Sequence, residues 1–541
     1  MAEPAHGRAA PEHRVVVVGA GIGGLVSALL LACRGLDVTL VEAADTPGGK
    51  MRQVEVDGVR IDAGPTVFTM RWVFDQILSA AGASLDSLLT LRPLGVLARH
   101  AWRASDARLD LFADLHASAD AISRFASPAE GRRYLAFCAE ARRVYERLER
   151  PYICSPRPSP LRMARDLGPA GIATLASLGP FASLWQRLGH HFTDPRLRQL
   201  FGRYATYCGA SPWQAPATLM LVAHVEQSGI WAIDGGMHAL AQALAQLAQQ
   251  RGVRLRYGQA CAHIDVVGGR VRGVRLADGQ ALPADSVVFN GDASALAQGL
   301  LGDAVARSAS AVPPAQRSLS AVTWAVHART SGFPLVRHNV FFDDDYASEF
   351  DDIFRQRRLP LRGTVYVCAQ DRSDGLPSDA PAVPDLPDAP PRRERLLCLV
   401  NAPADGDRRP FDDPEVDSCQ HRSLALLQQC GLQLELTPPQ VVRTTPAHFN
   451  RLFPGTGGAL YGAASHGWWA QFKRSGSLTA VSGLYLAGGS VHPGPGVPMA
   501  AMSGRLAAEA LMAHLDSTSR WRRAATSGGI STPSATTAST G

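Results

Sequence analysis

The sequence predicts an α/β fold built on a parallel sheet whose strands come from distant parts of the chain. Three observations carry that expectation. Residues 14–42 read as strand, glycine turn, helix and strand; residues 253–290 read as a β-meander returning to a buried strand; and Leu484-Tyr485-Leu486-Ala487 is a strand-like run entering a second glycine turn. Continuous β-branched runs beside glycine turns are the pattern of strands buried on both faces and connected through helices.

Taken in order, Val15-Val16-Val17-Val18 is the first strand. Leu25 to Arg34 is apolar and helix-compatible, with Gly35 suited to end it. Val38-Thr39-Leu40-Val41 is the second strand. Between them, Gly19, Gly21 and Gly24 stand in GxGxxG spacing. The first glycine allows a tight turn, the second a close approach of pyrophosphate to backbone, and the third close packing of helix on sheet. Glu42 closes the second strand, where an acid reaches a ribose. Its carboxylate accepts from ribose hydroxyls and repels a 2′-phosphate, so FAD or NAD is favoured over NADP. Gly48-Gly49 with Lys50 and Arg52 puts flexible backbone beside cations. By itself that stretch suits a phosphate-binding turn or a plain surface turn equally.

Residues 101–227 read mainly as helices broken by prolines, among them a short helix from Thr193 to Leu200 started by Asp194 and Pro195. The segment from Ser159 to Phe192 is apolar with Arg162, Arg165 and Arg187 near its edges, which suits either ordinary packing or a membrane-facing pair of helices. Gly268-Gly269 and Asp278-Gly279 are hairpin turn signals in the meander. Residues 301–470 mix strands (323–327, 364–368, 396–400) with loops; 374–395 reads as a proline-rich surface loop, and 517–541 as a disordered Ser/Thr/Ala/Gly tail. Asp343-Asp344-Asp345 with Glu349, Asp351 and Asp352 lacks a glycine-turned calcium loop and reads as a solvated face. Trp468-Trp469 reads as lining for a tunnel or as core.

Composition narrows the function. Fifty-four basic against 48 acidic residues leave a net charge of +6, and 46 % of residues are hydrophobic. This mild basicity fits an anionic membrane surface or simply an arginine-rich composition; no basic run interleaved with aromatics points to nucleic acid. Nine cysteines without a CxxC pair read as reduced thiols, and no metal site is expected. The first 13 residues, read as a flexible leader, have no apolar stretch of a secretory signal. No run approaches the roughly 18 apolar residues of a bilayer span.

The series GxGxxG, Glu42, Gly48-Gly49-Lys50 and Asp62-Ala63-Gly64-Pro65-Thr66 resembles the bacterial carotenoid desaturases of the phytoene-desaturase family, within the amine-oxidase-like flavoproteins. So do YCGASPWQAPATLMLVAHVEQSGIWAIDGGMHAL in the middle and GLYLAGGSVHPGPGVPMAAMSGR near the end. The likeness covers most of residues 14–515. Val491 stands where many phytoene desaturases have Thr, and Lys50 where many have Arg. GGKMR, DAGPTVFTMRWVFD and GGALYGAASHGWW are most similar to the 1-hydroxycarotenoid 3,4-desaturase branch, the hydroxyneurosporene or methoxyneurosporene desaturases.

The resemblance implies an FAD-binding Rossmann-type domain of the glutathione-reductase and amine-oxidase kind, assembled from 14–100, 228–300 and 471–516. A helical membrane-facing region (101–227) and a β-sheet substrate domain (301–470) complete it. It implies oxidation of a long carotenoid at C3–C4 by hydride transfer to flavin, peripheral association with the cytoplasmic side of the inner membrane, and oxygen or a quinone as electron acceptor. Residue by residue, it places the pyrophosphate at Gly19, Gly21, Gly24, Gly49 and Lys50 and the ribose at Glu42. The adenine is placed at Cys261. Gly64, Pro65, Thr66, Gly488, Gly489, Pro498 and Met499 are placed around the ribityl chain and flavin ring. His492 is either a positioning residue or the base for the departing proton. Pro498 is expected at the first helical position, with Val497 before it offering no side-chain cap. The bare helix start is then expected to face flavin N1–C2=O. Competing readings are a phytoene desaturase or carotenoid oxidase, another amine-oxidase-like enzyme, and a flavin-free lipid escort on the same fold.

Overall fold

A computed structural model of the 541-residue chain describes residues 13–156, 160–177, 179, 181–372, 393–436 and 440–527. Nearly all of the leader, most of the proline-rich 374–395 stretch and the end of the tail lie outside these residues.

The sheet that organises the fold has five parallel strands in the order Leu484–Leu486, Ser286–Phe289, β1 (Arg14–Val18), β2 (Asp37–Val41) and Arg254–Arg256. Its centre is β1, where Val16 pairs Val287 on one side and Thr39 on the other. Alternation along β1 assigns its two faces. Val15 and Val17 enter one core with Leu25 and Leu29 of helix α1 (Ile22–Cys33), Leu244 of helix Met237–Gln250 and Leu511 of the terminal helix Val497–Ser527. Val16 and Val18 enter a second core with Ile264, Val271 and Val274. Those last three belong to the three-stranded antiparallel meander of Cys261–Val267, Arg270–Leu276 and Ala281–Pro283. Gly268, Gly269 and Gly279 make its turns at φ of +59°, +72° and +88°.

A larger sheet lies beyond this unit. Its strands run Gln433–Glu435, Ser320–Ser331, Glu394–Ala402, Val365–Ala369, His338–Phe342, Val96–Trp102 and Ser105–Phe112, with Val441–Thr444 also paired to Ser320–Ser331. The hairpin Val96–Phe112 corrects the helical expectation for the start of 101–227. It adds to the sheet through a parallel pairing of Val340 with His100. The rest of that region is helical, and Asp194 caps the helix Pro195–Gly202 through the Arg196 N–H. The helix Pro160–Ser177 is kinked at Gly168 (φ +62°) before Pro169. The terminal helix continues to Ser527, past the expected start of a disordered tail at 517.

Candidate functional site

The glycine turn after β1 is a backbone-only surface. A Cβ on Gly24 would lie 2.0 Å from the Gly19 carbonyl oxygen, and Gly19 itself sits at φ +99°. A Cβ on Gly23 would meet Asn290 Oδ1 at 2.6 Å and the Gly488 nitrogen at 2.9 Å. One on Gly504 would lie 2.1 Å from the Gly23 oxygen. The first glycine turn and the terminal helix therefore pack backbone against backbone. Ser503 fixes the second glycine turn to that helix: its hydroxyl accepts from the Gly488 N–H (2.7 Å) and donates to the Ala500 carbonyl (2.7 Å).

These segments surround a cavity of about 830 Å³. Gly19, Gly21, Glu42, Gly49, Lys50, Gly64, Pro65, Thr66, Cys261, Gly488, Gly489, Pro498 and Met499 all line it. Gly24 packs behind the turn instead. Glu42 Oε2 accepts from the Ala20 N–H (2.6 Å) and Oε1 from the Ala44 N–H (2.9 Å), so its carboxylate is held at the cavity wall. Lys50 Nζ donates to the Leu460 carbonyl (2.7 Å) and lies 5.3 Å from the Phe453 ring. Burial lowers its pKa, opposed by nearby Asp292. A Cβ on Gly64 would strike the Lys50 oxygen at 1.8 Å, so the two segments touch directly. Burial raises the Cys261 thiol to about 11.

His492 does not reach this wall. It is 2 % exposed, and Nε2 lies 3.0 Å from the Tyr152 carbonyl and 2.8 Å from that of Ser155. Two carbonyls on one nitrogen fix Nε2 as the protonated one. Nδ1 is buried without a partner, and desolvation lowers the ring to about pKa 4. His492 thus ties the Glu149–Ile153 turn to the C-terminal loop, a geometry that suits the positioning role over that of a base. Two corrections follow from contacts the sequence does not display. The terminal helix begins at Val497, with the Ala500 N–H bonded to the Gly496 carbonyl, so Pro498 is the second helical residue. Asp343, Glu349 and Asp352 are buried, held by Arg103, by Thr364 and Asn401, and by Arg358, so they are not a solvated face. Trp468 lines the cavity, while Trp469 is half-exposed.

Several lining residues escaped the sequence reading. Asn290 donates to the Gly19 carbonyl (3.2 Å), while its Oδ1 is buried and unpartnered. Arg203, Tyr207, Glu226 and Tyr366 bring polarity to a stretch of wall shared with Leu219, Val222, Val225, Leu397 and Leu399. The Thr-Tyr-Cys run and the "NGD" ending the meander are the only local hints of them.

The residues fit FAD. Gly19, Gly21 and Gly49 present bare backbone to the cavity, and Gly24 lets their turn close tightly behind it. An anchored carboxylate stands one strand over. No backbone hydrogen bond between described residues takes the Val497 or Met499 N–H. Those donors line the same cavity and suit the polar edge of a flavin ring.

Comparison with known proteins agrees with this chemistry. The family model for flavin containing amine oxidoreductase matches residues 22–512. The chain is 66 % identical to a hydroxyneurosporene desaturase of Rubrivivax gelatinosus, over 99 % of both chains. It is 47 % identical to one of Cereibacter sphaeroides, over 94 % of this chain and 99 % of the other. A putrescine oxidase bound to putrescine shares the fold, with a TM-score of 0.58 at 15 % identity over 93 % of this chain and 99 % of the other. With two glycine turns closing on one cavity and these relatives, the chain belongs to the flavin-containing amine oxidoreductases, among the carotenoid desaturases.

Proposed function

We propose that this protein is an FAD-dependent desaturase that forms the C3–C4 double bond of 1-hydroxycarotenoids such as 1-hydroxyneurosporene. The single cavity carries the reading: both glycine turns open on the same space as a wall of Leu148, Met163, Leu221 and Val225. That space suits a dinucleotide together with a hydrocarbon. FAD, when bound, supplies the hydride acceptor. The chain binds, orients and excludes water. Gly19, Gly21 and Gly49 let the pyrophosphate approach, and Gly24 keeps their turn seated. Lys50 offsets phosphate charge, Glu42 takes the ribose hydroxyls, and the strand at Cys261 borders the adenine. Gly64, Pro65, Thr66, Gly488, Gly489, Pro498 and Met499 hold the ribityl chain and ring.

The protein sits on the cytoplasmic face of the inner membrane. No helix among the described residues is long and apolar enough to cross it. Phe181 is 86 % exposed and Ile172 47 % exposed, and Met163, on the same helix as Ile172, lines the cavity. These residues support an apolar entrance facing the bilayer. Oxygen or a membrane quinone takes the electrons. The test is FAD-loaded protein with lipid-dispersed 1-hydroxyneurosporene beside phytoene, read by the red shift of the polyene bands. A shift for the hydroxylated substrate is expected; conversion of phytoene alone refutes the assignment.

A further inference from the structure

A hydrocarbon tunnel does not explain one part of this wall. Arg203 lies in the stretch Arg203–Cys208 and faces the cavity. Its Nη1 is 3.3 Å from the Tyr207 hydroxyl, and its guanidinium carbon is 5.5 Å from the Tyr207 ring and 5.2 Å from that of Tyr366. Among the described residues no carboxylate lies within ion-pair distance of it, whereas Arg317, Arg357 and Arg187 each pair with one. The Tyr207 hydroxyl donates to Glu226 Oε1 at 2.7 Å. Glu226 is 7 % exposed, and burial raises its pKa. A guanidinium with spare donors and a buried carboxyl therefore share an otherwise apolar stretch. Filling that stretch with hydrocarbon alone strips water from those donors and returns nothing.

The cluster also adjoins the proposed flavin wall. The Thr66 Oγ1 is 2.6 Å from the Tyr366 hydroxyl, and Tyr366 stacks its face toward Arg203. Contacts thus run from Thr66 through Tyr366 and Arg203 to Tyr207 and Glu226. In a 1-hydroxycarotenoid the hydroxyl-bearing carbon is two bonds from C3. Its oxygen must therefore bind beside the ring that oxidises C3–C4 and not at the far end of the tunnel.

We propose that Arg203, Tyr207 and Glu226 form a subsite for the tertiary hydroxyl of the substrate, and that binding this oxygen sets which bond of the polyene is oxidised. This rests on the function proposed above. Arg203 donates to the oxygen, and the Tyr207–Glu226 pair accepts a hydrogen bond from its O–H. The hydroxyl end enters first, and the hydrocarbon trails toward the apolar mouth. A methyl ether at the same carbon keeps the acceptor and loses the donor, so it engages Arg203 alone.

The test compares 1-hydroxyneurosporene with neurosporene, its analogue lacking the hydroxyl, in FAD-loaded wild type and in Y207F, E226Q and R203K. Two readouts are taken: kcat/KM, and binding from the polyene spectrum under anaerobic conditions. Wild type is expected to favour the hydroxylated compound in both. Each variant is expected to lower that preference about 10–100-fold, the value of one or two hydrogen bonds to a buried polar site, with the loss chiefly in KM. Y207F removes only one oxygen, so it keeps the test valid if R203K loses flavin. Equal wild-type affinity for both compounds overturns the subsite, as does a preference unchanged within twofold in Y207F and E226Q. If wild type binds the hydroxylated carotenoid selectively but oxidises neither compound, the subsite stands and the proposed reaction fails.

Discussion

Replacing His492 separates a structural histidine from a catalytic one. In H492A the Ser155 carbonyl, 2.8 Å from Nε2, loses this donor, while the Tyr152 carbonyl, 3.0 Å from it, keeps the Ser155 N–H. An unsatisfied buried acceptor costs about 1–3 kcal/mol. The edge-to-face contact with Tyr152, with centroids 4.9 Å apart, is lost as well, worth about 0.5–1.5 kcal/mol. Together these predict a loss of about 1.5–4.5 kcal/mol. Pro493 and Tyr152 both line the cavity, so flavin occupancy falls too. Turnover per bound FAD stays within a few-fold of wild type. The assays are urea unfolding, flavin content by absorbance, and desaturation normalised to flavin. A hundredfold fall in turnover per flavin, with stability and flavin content unchanged, refutes this reasoning and restores the base.

Further outcomes follow from the same contacts. G504A places a Cβ 2.1 Å from the Gly23 oxygen; overpacking of about 1–3 kcal/mol is expected, together with flavin loss measured by absorbance although residue 504 does not line the cavity. E42A removes a charged acceptor from the ribose, worth about 1.5–3 kcal/mol, so flavin titration of the apoprotein should show affinity about 10–100-fold weaker, with E42Q milder. His100, His466 and His492 are lowered to about 4 and His338 to about 3 by burial. The folded protein keeps them neutral where the unfolded chain takes up protons below about 6.5. Stability is therefore full above pH 6.5 and falls as pH drops toward 4, by up to about 3 kcal/mol per histidine; urea midpoints between pH 7 and 4.5 measure it.

What was legible in the sequence follows from how local each cause is. The turn at Gly19, Gly21 and Gly24 announces itself because steric room is needed at fixed spacing, and Glu42 is reached through one strand. Gly268-Gly269 and Asp278-Gly279 similarly declare their hairpins. The hairpin Val96–Phe112 stayed hidden because register shifts at Val96/Ala98 and Ala101/Trp102 break its alternation. His100 also occupies a buried position, with Nδ1 bonded to the Leu109 carbonyl (3.0 Å). His492 beside prolines and glycines suggested chemistry, yet its environment is set by two carbonyls some 340 residues earlier. Asp343 and Glu349 looked solvated for the same reason: Arg103, Thr364 and Asn401 come from other elements. Arg203, Tyr207, Glu226 and Tyr366 carry no joint signature, because three separate stretches, Arg203–Cys208, Leu221–Gln227 and Val365–Ala369, bring them together.

The contact between Gly23 and Gly504 also bears on how the protein is made. The central strand of the five-stranded sheet gains its second neighbour only when Ser286–Phe289 has emerged, and that strand gains its own only with Leu484–Leu486. During synthesis the first glycine turn therefore waits for its packing partner at Gly504 for almost the entire length of the chain. Such distant closure is slow and leaves sticky surface exposed in the interval. A ligand that binds only the closed form pulls the equilibrium toward it. FAD supply during expression should then govern the yield of soluble protein, quite apart from its part in turnover.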